Sequence, residues 1–466
     1  MIGSDSTQPA RAMILVTAML CASAGCSDSR APDSTATAAA STLNNIPFED
    51  VSNDALIPPL VGSGKTQLQR LTARTSPDSG QGDFLGSSLA SNGDGNVLVS
   101  GAPGRDVGSV PDSGAVTVMF QVNGQWWFDR ELTAELPQTD AGFGHAVAVS
   151  QNGQLIAATA PHDNVAAEAA GAVYLFERFG EGWVGTTQLV SPTPANSGRF
   201  GTAVVLHPDG ETLFVSEPAV EGSVHIFRRQ QDLWSWTQTL KAPHDDSGLA
   251  GQQADGFGTT LDIAADGTLV VGAPDRLQLD TDQGFVTSGA VYTFRQRDDE
   301  WQSGQILTPS RSSWTHFGKS IAVAGDGSLL LVSVLELPLT DMPLLDKAQI
   351  QVQVYRLDAD HQWKQDEQLL PAGAHSEVSE VALLSNPDGD RIYLALTNPG
   401  RRDNTLMQYD RIGDGWLRTA LLSRPQAQPN ALGHALALAP DADRLLVTAP
   451  DETVNERTGA GAIYTW

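Results

Sequence analysis

The chain has 466 residues, 45 of them glycine, and 55 acidic against 28 basic residues set its net charge at −27. A charge of that sign and size excludes nucleic acid and anionic membrane surfaces as electrostatically favoured partners. Cys21 and Cys26 are the only two cysteines, so everything after them lacks a thiol for an intrachain disulfide or a thiolate-ligated metal.

The N-terminus reads as an export segment. Residues 13–20, MILVTAML, form an apolar run behind Arg11, too short for a permanent bilayer span, and the small residues of SAGC follow at Ser23 to Cys26. That ending resembles a bacterial lipobox, which implies removal of residues 1–25 and lipidation of Cys26 as the new N-terminus. Ser23 stands where the resemblance expects an aliphatic residue. An ordinary cleaved signal, a retained anchor and a start at Met13 stay open. Several acyl chains, as the resemblance implies, would anchor the protein stably where a single chain would not. Ser27 after the cysteine, by resemblance to the sorting rule, points to the outer membrane. Residues 26–64 then turn to Ser, Ala, Thr, Asp and Pro with few large apolar side chains, the composition of a flexible tether.

From residue 65 to 466 one cassette recurs. Its clearest copies are FGHAVAVSQNGQLIAATAP at 143–161, FGTAVVLHPDGETLFVSEP at 200–218 and FGTTLDIAADGTLVVGAP at 257–274. Gly86, Gly144, Gly201, Gly258 and Gly318 mark a period of 57–60 residues, and Gly433 follows two periods later across a degenerate copy at 380–399. Seven units of about 57 residues fill this part of the chain. Within each unit, Asn152-Gly153 and the corresponding Asp94-Gly95, Asp209-Gly210, Asp266-Gly267, Asp326-Gly327 and Asp388-Gly389 read as two-residue hairpin turns between a first and a second strand. GAVTVMF at 114–120, GAVYLFE at 171–177 and GAVYTFR at 289–295 supply a third strand. A tight turn and a tryptophan, expected at Trp127, Trp183, Trp236, Trp301, Trp363 and Trp416, open a fourth.

Four antiparallel strands in each of seven units predict an all-β, seven-bladed β-propeller, one large domain over 65–466. The chain ends at GAIYTW, a third strand, while KTQLQRLTA at 65–73 looks like an orphan fourth strand. Their pairing would close the last blade with the N-terminal strand and cover two open edges.

The order FG, GAP, GAVYVF, W, L resembles the FG-GAP repeat family of exported and surface proteins, related to the integrin α-subunit propeller, over essentially all of 65–466. The resemblance implies extracellular binding or adhesion. It also raises calcium, which integrin-type copies hold in an Asp-x-Asp-x-Asp-Gly-x-x-Asp cage. Here SNGDGN offers Asn92 and Asp94 but has Ala90 and Leu98 where carboxylates belong, and the other turns carry one Asp before Gly. A cation wanting six or more oxygens finds the set incomplete, so neither calcium nor another cofactor is expected as a resident, with calcium left possible.

Acidic residues gather in the loops between second and third strands and in those leading into each blade. Asp106, Asp112, Asp245, Asp246, Asp255, Asp275, Asp280 and Asp282 make the candidate binding face, equally readable as a solubilising surface. His145, His316 and His434 flank the Phe-Gly position and could face the central channel, though their separate blades argue against a shared metal. GSGKT at 62–66 resembles a phosphate loop but has Pro59 at the first glycine position, and no zinc helix or nucleophile elbow is present. The expectation is a monomeric, non-enzymatic, lipid-anchored envelope or surface protein that binds a protein or glycan. The alternative is a propeller enzyme that cleaves extracellular polysaccharide with acidic residues of that face. A catalytic site would gather acids from several blades at the channel mouth, whereas a binding face would spread them outward.

Overall fold

The computed structural model describes residues 69–72, 82–219, 222–243, 255–280, 284–309, 315–336, 349–369, 371, 380–397, 405–423, 432–439 and 444–465. The expected export segment, Cys26, the tether, Asp245, Asp246 and Asp282 lie outside the described residues, and Asp280 is described only as a strand position.

Strands arise in fours because each cassette supplies four extended runs separated by turn chemistry, and among the described residues these make seven four-stranded antiparallel sheets. Blade 2 shows the pattern, with Val147–Val149, Leu155–Ala160, Ala172–Phe179 and Gly182–Leu189 running from the axis outward. The innermost strands of successive blades touch one another in a closed circle of seven, which defines a central channel. Burial follows from this geometry. A second strand has a neighbouring blade on each face, so Leu155–Ala160 is buried at every position and reads as a continuous apolar run. The outer strand faces solvent, and Glu300–Leu307 buries only Trp301 near its start, Leu307 at its end and half of Gln305.

The core lies between blades. Val99 and Val118 of blade 1 pack with Phe143, Ala158 and Tyr174 of blade 2, and equivalent clusters fill the other junctions. The cassette's recurrent residues meet at these junctions. Phe143 is fully buried with its ring edge-on to Tyr174 and Phe176 at 5.4 and 6.0 Å, while its backbone N–H donates to Ser113 of blade 1 at 3.0 Å. The backbone of Phe143 thereby pairs with Gly114, the first residue of blade 1's GAVTVMF, as Phe317 pairs with Gly289 and Leu85 with Gly461 across the ring closure. Phe-Gly of one blade therefore sits on the Gly-Ala of the blade before it. Outside, Gln238 exchanges two hydrogen bonds with the backbone of Trp301 in the next blade, at 2.8 and 2.9 Å, and Gln305 does the same to Trp363.

The ring closes as the sequence predicts. Gln69–Thr72 pairs antiparallel with Ala462–Thr465, Leu71 opposite Ile463, as the fourth strand of blade 7. Leu71 is fully buried against Leu98, Met119 and Trp126 of blade 1, so one strand stitches the last blade to the first.

Two expectations are corrected. The Asn-Gly and Asp-Gly turns are not two-residue hairpins: the Ser150–Leu155 pair closes a four-residue loop, and the same spacing recurs at His207–Thr212 and Ala324–Leu329. The acid earns its place by accepting N–H groups in its own loop, as Asp209 Oδ1 does from Glu211 and Thr212 at 2.7 and 3.0 Å. The two-residue hairpins lie between third and fourth strands, at Asn123-Gly124 and Asp298-Asp299, where both residues have positive φ. The core tryptophans of blades 1 and 3 are Trp126 and Trp234, 1% and 2% exposed, whereas Trp127 is half-buried and Trp236 is 45% exposed. Alternation puts the adjacent Trp126 and Trp127 on opposite faces, whereas Trp234 and Trp236 share a face and differ in their distance from the turn, which sets the buried position opposite Arg229.

Candidate binding face

The two ends of the ring differ. On one, the turns are short and stereotyped, two residues between third and fourth strands in blades 1 to 4. On the other, the loops from second to third strand vary from five residues, between Glu217 and Ser223, to sixteen, between Ala273 and Ala290, the longest carrying its own hairpin of Leu277–Asp280 and Gly284–Thr287. The chain also enters every blade on this second face.

The described members of the acidic set fall into two groups. In blade 1, Asp106 Oδ1 accepts the N–H of Asp112 at 2.9 Å, so one acid shapes the loop that carries the other. Asp112 has a φ of 47°, and desolvation followed by the charges of Asp106 and Asp140 raises its pKa. In blade 4, Asp255 Oδ1 accepts the N–H of Phe257 at 2.9 Å, and its pKa is raised because desolvation outweighs the backbone hydrogen bonds and Arg276. Asp275 donates its N–H to the carbonyl of Asp255 at 3.1 Å and lies 3.3 Å from His316 Nδ1. Three loops carry these acids, one on blade 1 and two on blade 4, the entry loop and the one after its second strand.

The channel mouth is built by the Phe-Gly turn. In blade 2, Gly142, Phe143 and Gly144 turn the chain so that His145 donates its backbone N–H to Gly142 at 3.1 Å, and Gly144, at φ 91°, donates to Thr159 at 2.8 Å. The apolar residue points into the blade junction, and the positions on either side of the apolar-Gly pair stay at the rim. His145 is exposed there, and its pKa is lowered by desolvation and then by the positive charges of His162, His434 and Arg199. His162, on the loop after the second strand of blade 2, is lowered by desolvation and Arg199, with Asp140 opposing. His145 of blade 2 and His434 of blade 7 therefore feel each other's charge across blade 1, while His316 pairs with Asp275. Arg199, His162 and Lys319 were not singled out from sequence; their offset from the apolar-Gly pair, or from Ala-Pro for His162, was the available signal.

In blade 4 a carboxylate reaches the channel wall. Asp262, on the innermost strand Thr260–Ile263 of blade 4, accepts the N–H of Val323 from the innermost strand of blade 5 at 2.7 Å and that of Ile263 at 2.8 Å. Desolvation pushes its pKa up to about 6 despite both bonds. Blades also carry buried polar sets outside the channel. Tyr174 donates to Asp163 at 2.5 Å, and His225 Nε2 and Ser191 Oγ both bond Glu217 Oε2, at 2.8 and 2.7 Å. In that last set the carboxylate is central, and the other imidazole nitrogen, His225 Nδ1, lies 3.0 Å from Thr239 Oγ1; Ser191, Glu217 and His225 are 2–5% exposed. Among the described residues, no three His, Cys, Asp or Glu side chains are grouped to hold a metal ion.

No family model matches the chain. No curated protein matches it. Among solved structures it is similar to Kuenenia stuttgartiensis hydrazine synthase, at 12% identity and a TM-score of 0.52, over 81% of this chain and 94% of that one. A likeness at that identity concerns the fold: the chain is a seven-bladed β-propeller.

Proposed function

We propose that this protein is a non-enzymatic binding module, exported and tethered to the cell envelope through a lipid on Cys26, that holds its ligand on the face of long loops. The observation that carries this reading is the asymmetry of the two ends: one face keeps short turns of two to six residues, while the other varies its loops from second to third strand between five and sixteen residues and carries the candidate acids. Variable loops on a rigid scaffold are where binding surfaces form. The cassette's resemblance to FG-GAP repeats supports extracellular binding or adhesion in the same direction. Against polysaccharide cleavage stands the placement of the described acids of this face, which spread over blades 1 and 4. Glycosidic acid/base chemistry needs two carboxylates about 5–10 Å apart across one bond.

The test uses the full-length lipidated protein, incubated with envelope and matrix fractions and with a panel of polysaccharides. Retention of an intact component, with no new reducing ends, is the expected result. Release of reducing ends from any polysaccharide refutes the reading. Metabolic labelling with palmitate, lost in Cys26→Ser, is expected for the anchor, and unchanged labelling overturns it.

A further inference from the structure

In a chain whose acids outnumber its bases 55 to 28, the turn positions at the channel mouth carry basic side chains. Six of the apolar-Gly turns are described, and two positions in each, one before the apolar residue and one after the glycine, stand at the rim; residue 431 is outside the described residues, leaving eleven. Five of the eleven are His145, Arg199, His316, Lys319 and His434, and none is Asp or Glu. His162 adds a sixth basic group within electrostatic reach of His145. Arg199 is exposed, makes no salt bridge among the described residues, and is held at φ 56°. Glycine occupies that turn position in blades 2 and 4, so the backbone strain of a non-glycine residue is retained where it places a guanidinium at the rim.

We infer that the channel mouth on the long-loop face binds a small multivalent oxyanion, or the charged end group of a larger ligand, between His145, His162, Arg199 and His434. This rests on the reading of that face as the ligand-bearing one and names its chemistry. Arg199 supplies a planar fork of donors suited to phosphate or carboxylate, and the imidazoles add charge-assisted donors once protonated. The acids of the surrounding loops, Asp106, Asp112 and Asp140 on one side and Asp255 and Asp275 on the other, repel a long polyanion laid across the face, which favours a compact anion delivered end-on. The groups facing the histidines are Arg199 and Asp140 at His162, His162, Arg199 and His434 at His145, and Asp275 at His316. Desolvation and then mutual repulsion lower His145, and an anion seated among these groups offsets both, so binding takes up protons and tightens as pH falls.

The experiment is calorimetric titration of the full-length protein with inorganic pyrophosphate and separately with citrate, at about pH 6 and about pH 8 and low salt. Affinity about tenfold or more higher at the lower pH is expected for at least one probe, and the tighter probe distinguishes a phosphate from a carboxylate source. The combined variant His145→Thr, Arg199→Gly, Lys319→Thr places at each position a residue that the blade-4 turn already carries, so its thermal midpoint should match the parent. It should lose most of the affinity and the pH dependence. Absence of binding by the parent, or equal binding by a variant with unchanged midpoint, overturns the inference. Capture of an envelope component without either anion binding removes this site and leaves the binding-module reading standing.

Discussion

Gly171→Ala tests whether the cassette's recurrent glycine is a junction between blades. Gly171 precedes the third strand of blade 2 with a φ of 89°, and a Cβ built on it would lie 2.1 Å from the carbonyl oxygen and 2.7 Å from the nitrogen of Phe200 in blade 3. Both are backbone atoms, so relief requires the blade-3 turn to move by about 1 Å, beyond what a rotamer change achieves. Such a movement would lift Phe200, now fully buried with His225 and Phe227 at 5.7 and 5.9 Å, and stretch its 2.8 Å hydrogen bond to Ala170. Positive φ in alanine costs about 1–2 kcal/mol, the hydrogen bond about 1, and partial loss of a buried phenylalanine about 1–3. The total of about 3–6 kcal/mol corresponds to a midpoint drop of about 4–9 °C when scaled to the roughly 330 described residues. Gly180→Ala is the control, since Gly180 has a φ of 60° but nothing within 4 Å of the added Cβ. It should cost only about 1 kcal/mol. Urea unfolding of both variants, read by tryptophan fluorescence, isolates the blade contact from backbone strain. Equal shifts in the two midpoints would refute the junction.

Asp262→Ala should change how stability depends on pH. Folding raises this carboxyl to about 6 from an unfolded value of about 3.9, so between those values the native state holds more protons and the parent loses stability as pH rises, by up to about 2–3 kcal/mol at neutral pH. Alanine, which blades 2, 5 and 7 carry at this place as Ala148, Ala322 and Ala437, should flatten that slope in urea titrations near pH 4 and pH 7; an unaltered slope counts against the assignment. Glu367 accepts the N–H of Trp416 but has no donor to return, unlike Gln238 and Gln305, so Glu367→Gln should complete the clamp and raise stability by about 0.5–1.5 kcal/mol, with a lowered thermal midpoint as the contrary result. Leu71→Ala should cost about 2–4 kcal/mol through the ring closure, measured by urea unfolding, and a cost below about 0.5 would show that the N-terminal strand is dispensable. Trp126→Ala should destabilise by about 3–5 kcal/mol and Trp127→Ala by far less, and the reverse order of thermal midpoints would restore the sequence-based choice.

Repetition made the fold legible. One copy of FGTAVVLHPDG is a weak signal, but six copies at 57–60 residue spacing placed the strands, and the unmatched third strand at GAIYTW pointed to its partner at Gln69–Thr72. Turn chemistry was legible only in kind. Asp-Gly announced a turn, but whether two or four residues close it depends on which backbone pair bonds first, as Ser150 with Leu155. Trp126 against Trp127 shows the same limit, because a strand's inward face is set by register and adjacent tryptophans offer both choices. For the binding face, the loops rich in acid could be located, but the acids that shape their own loops, Asp106 and Asp255, could not be told from those left to meet a ligand.

The sequence by itself determined the number of blades, their strand order and the way the ring closes, because each is a matter of period and of pairing unmatched edges. Only the tertiary structure decided which residues stand together at the channel mouth. His316 and Lys319 share one turn, but His145 lies 54 residues from Arg199 and 289 from His434, and nothing local joins those three. Closure of the circle brings the described apolar-Gly turns to one rim, and so sets five basic side chains from four blades inside a margin of loops that carry the described acids.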